Sequence, residues 1–555
     1  MVNIGIDFGS TYTTVSVYRH ETGMVEALTM SSSPYIPTTV ALVGDRYEYG
    51  RAARSVTGKR GVRIFRGFKM LLAENNVQLL QSRGYTGEHT PARVAGRFLE
   101  YCLRQMLTVL HESSVDQLVV GVPEIWNQKL STLDARTVLR DILQELDFVK
   151  KVQVVSEPAA ATAFFAHNFK LSTGREYDGC ILLIDYGGGT LDLTLTNVST
   201  SSGAVEIKVL ERSGAGENED GMIGKAGIVY MESVMAEAIR QSGILGDKPL
   251  EFDGRFYKAV DSLEEELQYR TENIEAVFDE CGTDISDELV LEDLEQEFTN
   301  IDYRGEYIPI SYRLLVEVYD EIIRPVLEEK LALMTDYMDL HGIRYMDRDQ
   351  ENFKIALVGG FGNYYLVRKQ IEETFRFSTM DKRQEHIILN LSDREKSISL
   401  GAAMLSAGVV SIRNTAPLSI GLAARDVQGN SWVDYAITYK QDMEDDREYF
   451  PLDPTTEKPI RYLLTGGGVS RLVINRGTEP ENARIMELKP QFAKLLSDIA
   501  QPMGTAALSF SMDGSGVLSM HIHDYPLDHP EPDISGRRIE LAKCSELFIT
   551  EEAGE

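Results

Sequence analysis

With 555 residues, 43% of them hydrophobic and 26% charged, the chain is long enough for several cores, which points to two lobes and an appended domain. Its 86 acidic and 56 basic residues give a formal net charge of −30, which argues against nucleic acid and anionic membrane surfaces as partners. Cys102, Cys180, Cys281 and Cys544 lie far apart with no CxxC pair, so neither a zinc site nor a disulfide framework is indicated.

The chain enters a strand pattern at once, without a basic segment followed by an apolar one, and no later stretch reaches a membrane-spanning length. The expected compartment is therefore a reducing cytoplasm. Residues 4–18, IGIDFGSTYTTVSVY, read as an apolar strand, an aspartate (Asp7), a turn with glycine and hydroxyls (Gly9, Ser10, Thr11), and a second strand opening at Tyr12. Residues 32–53 read as short strands around prolines and a Gly-Asp turn, and residues 65–72, FRGFKMLL, carry Lys69. Helical periodicity over 91–112 and 129–147 flanks a strand at 115–122 that ends at Pro123. Glu157 precedes Pro158 and an alanine-rich helix.

Residues 181–198, ILLIDYGGGTLDLTLTNV, repeat the opening design: a β-branched apolar strand to Asp185, the triple glycine Gly187, Gly188 and Gly189 with Thr190, and a strand carrying Asp192. Consecutive glycines leave no Cβ to obstruct a bulky anion, and their N–H groups can converge on phosphate oxygens. Aspartates beside such turns suit a magnesium ion and its waters. Two such hairpins far apart look like two phosphate clamps facing each other across a cleft. No GxxxxGK[ST] loop occurs anywhere in the chain.

A helical stretch over 256–278 contains Glu266, Tyr269 and Arg270, inside a strongly acidic run at 261–297 whose default account is a solvated helix face. Gly359, Gly360, Gly362 and Asn363 follow an apolar strand, and the paired glycines again allow close backbone approach. Near the end, residues 508–524 alternate apolar and polar on both sides of a turn at 513–516 and read as a strand hairpin. Strands are also expected at 435–440, 462–464 and 472–475, whereas 466–468 and the acidic 442–446 have no clear reading. His521 and His523 share one strand face, a spacing able to bind a metal but without cysteines or carboxylates arranged to complete a site.

These segments resemble, in order, the motifs of the seventy-kilodalton heat-shock (DnaK-like) chaperones within the actin, sugar-kinase and heat-shock ATPase superfamily. The two hairpins resemble its first and second phosphate motifs. GVPEIWN at 121–127 is similar to TVPAYFN, SEPAAA at 156–161 to NEPTAA, ALVGGFG at 356–362 to the adenosine motif LVGGST, and LGAA at 400–403 to YGAA. The segments at 32–53 and 65–72 resemble PSYVAF…IGDAA and FDAKRLIG, and residues 213–227 occupy the place of the GDTHLGG turn in altered form. VSIRNTAPLSIG at 410–421 and LSFSMDGSGVLSMHIHD at 508–524 resemble VLLLDVTPLSLG and VTFDIDANGILNVSAKD.

The resemblance implies an α/β fold: a two-lobed actin-like ATPase domain over 1–408, with lobes at about 1–177 and 178–408, a linker at 409–416, and a β-sandwich-like substrate or partner-binding domain at 417–555. It implies a slow, magnesium-dependent ATPase of the cytoplasm that serves protein folding. ATP and ADP with Mg²⁺ are the expected cofactors, and K⁺ is a further candidate. Asp7 and Asp192 would hold magnesium waters; Glu157 and Asp185 would orient the attacking water; Lys69 and Thr190 would contact the γ-phosphate. Gly9, Ser10, Thr11, Tyr12, Gly187, Gly188, Gly189 and Thr190 would wrap the phosphates, with Gly359, Gly360, Gly362 and Asn363 at the α-phosphate and nucleoside. Read without a gap against ERAKRTLS, Glu266 would serve the ribose and Arg270 the adenine face, while Asn363 replaces an arginine usually stacked on adenine.

Water is the expected acceptor, since no other substrate pocket suggests itself in the sequence. The implied partners are an extended or unfolded polypeptide client, or one dedicated protein, together with a nucleotide-exchange factor or J-domain-type cochaperone. Two departures stand out. Val410, Ser411, Ile412 and Arg413 replace the apolar linker run, and only about thirty residues follow the last hairpin, too few for the family's helical lid. They favour an alternative, a nucleotide-switched scaffold with a fixed partner; an actin-like filament or a small-molecule kinase is a more distant reading.

Overall fold

The computed structural model describes all residues except 31, 73, 75, 124–125, 127–129, 202–203, 216–224, 247, 346–351, 376–393, 414–415, 417–418, 426–427, 440, 445–446, 464–470, 476–482, 489–504, 513–517, 525–536, 544–547 and 550–555. The altered glycine turn within 213–227, the glycines at 466–468, the hairpin turn at 513–516 and Cys544 lie wholly or largely outside the described residues. The chain is a mixed α/β protein with several sheets. Its contacts divide it into two compact units. One comprises Met1–Ile125, Asp141–Val152 and Ser156–Ser411; the other comprises Trp126–Arg140, Gln153–Val155 and Ile412–Glu555.

In the first unit the opening hairpin is formed by strands Asn3–Phe8 and Tyr12–Arg19. Asn3–Phe8 pairs antiparallel with Tyr12–Arg19 and parallel with Gln117–Val122, in a sheet that also holds Met24–Ala27, Ile36–Pro37 and Val152–Ser156. The second hairpin, Gly179–Tyr186 with Leu191–Ser201, repeats this arrangement: antiparallel within itself, its first strand parallel to Phe353–Val358. Apart from Asp7 and Asp185 near their ends, both first strands are largely apolar, as a strand with a parallel neighbour and covering helices on its faces should be. Ile4, Ile6, Phe8, Leu182, Leu183 and Ile184 are all fully buried.

Two helices close over the first sheet through small residues. Glu157–Thr173 starts at Ser156, whose hydroxyl accepts from the Ala159 N–H at 3.3 Å, and stops at Gly174, which adopts φ +69°. Ser397–Ser406 lies against it and against Asn3–Phe8. A Cβ on Gly401 would stand 1.8 Å from the Ala160 carbonyl oxygen, and one on Gly5 would stand 2.2 Å from the Ala403 nitrogen. Backbone approaches backbone there, so side chains are excluded on steric grounds.

The helical pattern over 91–112 is the helix Pro91–Leu110, capped by the Thr90 hydroxyl. The stretch expected to be one helix at 256–278 is two, Gly254–Tyr269 and Thr271–Cys281, separated at Arg270. The second unit is rich in strands. Its described residues form one sheet ordered Ser431–Ile437, Ser419–Arg425, Arg471–Asn475, Ala483–Leu488, Phe548–Ile549. A second sheet runs Glu448–Tyr449, Thr505–Met512, Leu518–Asp524, Arg537–Lys543, with Arg461–Leu463 also paired to Thr505–Met512. The 508–524 hairpin pairs Phe510 with Met520 and Leu508 with Ile522, all buried, as its alternation requires.

Candidate functional site

The turns of the two hairpins meet. A Cβ on Gly188 would lie 2.1 Å from the Thr11 hydroxyl oxygen, and one on Gly189 would lie 2.5 Å from the Ser10 hydroxyl oxygen. Glycine is needed there because the opposing turn occupies the space a side chain would take. Gly9 is equally constrained, its absent Cβ falling 2.1 Å from the Tyr12 carbonyl oxygen. The second turn is braced from behind: the Gly187 and Gly188 carbonyls accept from the N–H groups of Gly227 at 3.2 Å and Ile228 at 2.8 Å.

Beneath the turns the strands deliver carboxylates. Asp185 and Asp192 oppose each other directly across the second hairpin, and Asp7 occupies the matching position of the first, opposite Thr14 and beside Gly121. Like charges placed directly opposite in a sheet repel, and here Asp185 and Asp192 are buried as well. Glu157 comes from the first turn of its helix, where the helix dipole favours a carboxylate. Gly121 leaves room for it: a Cβ there would be 3.1 Å from Glu157 Cγ. Lys69 lies in a turn whose neighbours Phe68, Met70 and Leu71 are buried, and it is carried inside with them, only 3% exposed. Its Nζ donates to Glu157 Oε1 at 2.6 Å.

A single lysine therefore faces several buried carboxyls. Burial and the Glu157 charge push the Asp7 carboxyl up to about 7 against the opposing pull of Lys69. Burial, then Glu157, Asp192 and Asp7, hold the Asp185 carboxyl well above its usual range. Such a cluster lacks positive charge, and its donor set of hard oxygens suits magnesium. Among the described residues no three acidic, histidine or cysteine groups converge on one direct coordination site.

Gly359, at φ +78°, brings the next loop against the same aspartate: a Cβ on it would be 2.5 Å from Asp185 Oδ1. Asn363 donates weakly to Glu395 at 3.4 Å, and Glu395 accepts from the Tyr35 hydroxyl at 2.7 Å. Tyr35 packs edge-on to Tyr12. Tyr12 in turn accepts from Arg54 Nη1 at 2.9 Å and is hydrogen-bonded to Gln268.

Glu266 and Arg270 do not join this group. They pair with each other at 2.6 Å and turn to the strand Glu297–Tyr303, where Arg270 donates to the Phe298 carbonyl and Thr299 donates to Glu266. Glu264 is buried toward Tyr12, and Gln268, one turn further on and itself exposed, hydrogen-bonds to Tyr12. A two-residue offset turns a helix by about 200° and so reverses the face presented. The acidic run is likewise not all solvated, since Glu264 is buried and salt-bridged to Arg54 at 3.4 Å. Sequence reasoning missed Tyr35, Arg54, Glu264, Gln268 and Glu395; the i, i+4 pair Glu264 and Gln268 was the available signal. His521 and His523 lie buried in the second unit, hydrogen-bonded to Ser511 at 2.7 Å and to Glu448 at 2.6 Å respectively.

No family model matches the chain. Individual proteins do. It is 24% identical over 489 residues to a heat shock cognate HSP70 protein of Trypanosoma brucei brucei, covering 80% of this chain and 64% of that one. It is 21% identical over 438 residues to a chaperone protein HscA homolog of Rickettsia bellii, covering 76% and 60%. A chaperone protein DnaK of Nitrosopumilus maritimus matches at 23% over 347 residues, covering 60% and 46%. The chain is a divergent relative of the seventy-kilodalton heat-shock proteins. This heat-shock relative spans less than two thirds of the length of these proteins. Among its described residues no helix is long and apolar enough to cross a membrane.

Proposed function

We propose that the chain is an ATP-dependent, DnaK-like chaperone in which slow ATP hydrolysis is coupled to binding of extended polypeptide. The carrying observation is the meeting of the Ser10–Thr11 and Gly188–Gly189 turns above half-buried Asp7 and buried Glu157, Asp185, Asp192 and Lys69. The architecture belonging to this reading is a two-lobed actin-like domain over 1–408 (lobes about 1–177 and 178–408), a linker at 409–416 and a β-sandwich at 417–555.

In this reading the two turns offer N–H groups and hydroxyls to the phosphates. Asp7 and Asp192 hold a hydrated magnesium ion, which when bound neutralises charge on the β- and γ-phosphates. Glu157 and Asp185 orient the attacking water, and Lys69 and Thr190 contact the γ-phosphate. Gly359, Gly360, Gly362 and Asn363 line the nucleoside end. Tyr12, Glu264 and Gln268 take the nucleoside-facing roles that the ungapped alignment gave to Glu266 for the ribose and Arg270 for the adenine face. Binding of unfolded polypeptide falls to the strands of the second unit.

Single-turnover ATP hydrolysis, with and without an unfolded apolar peptide, tests this. The expected result is acceleration by peptide and a loss of about 10²-fold or more in Glu157→Gln. Hydrolysis indifferent to peptide would instead support the nucleotide-switched scaffold. One feature favours that second reading: where the family has an apolar linker run, Ser411 is spent on a 3.4 Å hydrogen bond to the Val205 carbonyl.

A further inference from the structure

One helix start touches both halves of the candidate site. The helix Gly227–Gln241 gives its first two N–H groups to the Gly187 and Gly188 carbonyls, at 3.2 and 2.8 Å. The first N–H groups of a helix have no partner within it, so the glycine turn and the helix start satisfy each other. Just ahead of the helix, the Lys225 carbonyl accepts from the Tyr186 hydroxyl at 2.8 Å, and Tyr186 leads from Asp185 into that turn.

The same helix start also meets the loop at 359–363. A Cβ on Gly227 would lie 3.1 Å from Phe361 Cβ, so the loop packs on the helix backbone itself. Three residues on, the buried Tyr230 ring lies 5.3 Å from both the Phe361 and the Tyr364 rings. Its hydroxyl donates to the Leu315 carbonyl at 2.9 Å and stands 2.8 Å from the Tyr364 hydroxyl. A hydroxyl has one proton to give, so here Tyr364 donates and Tyr230 accepts. Burial and the neighbouring Tyr364 hold the Tyr230 phenol well above its ordinary range, which keeps its proton in place. Tyr364 in turn closes the loop, its N–H donating to the Phe361 carbonyl at 3.0 Å.

We propose that Tyr230 is a positioning residue that couples the two ends of the nucleotide, so that occupation of the phosphate side tightens binding on the nucleoside side. The helix start carries a shift of the turn at 187–189 to the loop at 359–363 through close-packed rings and a buried hydrogen bond, the kind of contiguous network that transmits coupling. The coupling rests on the nucleotide reading of the site, and Tyr230 acts through its neighbours without touching nucleotide.

Calorimetric titration of the full chain with adenosine, in the absence and presence of saturating magnesium pyrophosphate, tests this. In the wild type, pyrophosphate should tighten adenosine binding about tenfold. Tyr230→Phe and Tyr364→Phe should each bind adenosine alone within about twofold of wild type and lose the tightening, and the double variant should be no worse than either. Tyr364→Phe leaves the Tyr230 bond to Leu315 in place, so it separates the link to the loop from a general packing role of Tyr230. Thermal melts establish that the variants are folded; if Tyr230→Phe is not, Tyr364→Phe decides. Independent binding of the two ligands in the wild type would overturn the coupling alone. So would tightening that survives in either folded variant, which would leave the direct approach of Gly359 to Asp185 and Tyr186 as the route. Failure of either ligand to bind the wild type would instead sink the nucleotide reading, and the coupling with it.

Discussion

Lys69 and Glu157 stand 88 positions apart in the chain and 2.6 Å apart in the fold. With Asp7 and Asp185 they set the protonation behaviour of the site. Asp7 is the residue whose effect on stability has a definite sign. Its folded-state value of about 7 lies above the ordinary 3.8, so between about pH 4 and pH 7 the folded chain binds the extra proton and stability falls as pH rises. Melting temperature without magnesium should therefore drop more steeply from pH 5 to pH 8 in the wild type than in Asp7→Asn. Equal slopes would remove Asp7 as the cause. Lys69→Met should be the more damaging change, because losing one partner of a buried pair strands the other at a cost of about 3–5 kcal/mol. Glu157→Gln also takes a charged partner from buried Lys69 but relieves the repulsion on Asp7 and Asp185, and chemical denaturation should show it less damaged than Lys69→Met.

At the scale of elements, helix phase decides which residues can reach a ligand. Glu264 and Gln268 share the face toward Tyr12, while Glu266 and Arg270 face the strand Glu297–Tyr303. Nucleotide affinity should fall by about tenfold in Gln268→Ala and stay within twofold in Arg270→Ala, magnitudes expected of one hydrogen bond gained or lost at the site. The reverse order, read by equilibrium titration with a fluorescent ATP analogue, would restore the ungapped alignment. Helix packing makes a second prediction. Gly401→Ala puts a methyl group into the backbone of a facing helix, where neither partner can rotate away. A loss of about 1–3 kcal/mol or more is expected in chemical denaturation.

Across the whole molecule, the formal charge of −30 acts at long range. If polypeptide is the ligand, basic unfolded segments should associate faster than neutral ones of equal hydrophobicity. That advantage should vanish as salt rises from 50 to 500 mM and the screening length shortens. Stopped-flow binding of two such peptides measures it. A salt-independent ratio would mean that net charge plays no part in client capture. The relatives are heat-shock or chaperone proteins by name and match this chain at 21–24% identity.

Local chemistry sufficed for the sequence to determine the two strand–aspartate–glycine hairpins, the helix over 91–112, the alanine-rich helix after Glu157 and the alternating hairpin at 508–524. A glycine turn, a cap or a period-two pattern is specified by residues within a few positions of one another. The meeting of Thr11 with Gly188, the burial of Lys69 against Glu157, the phase that selects Glu264 over Glu266, and the link from Tyr230 to Tyr364 were decided only in the tertiary structure. Each joins residues far apart in the chain, and one residue of offset along a helix, about 100°, changes the neighbour that a side chain meets.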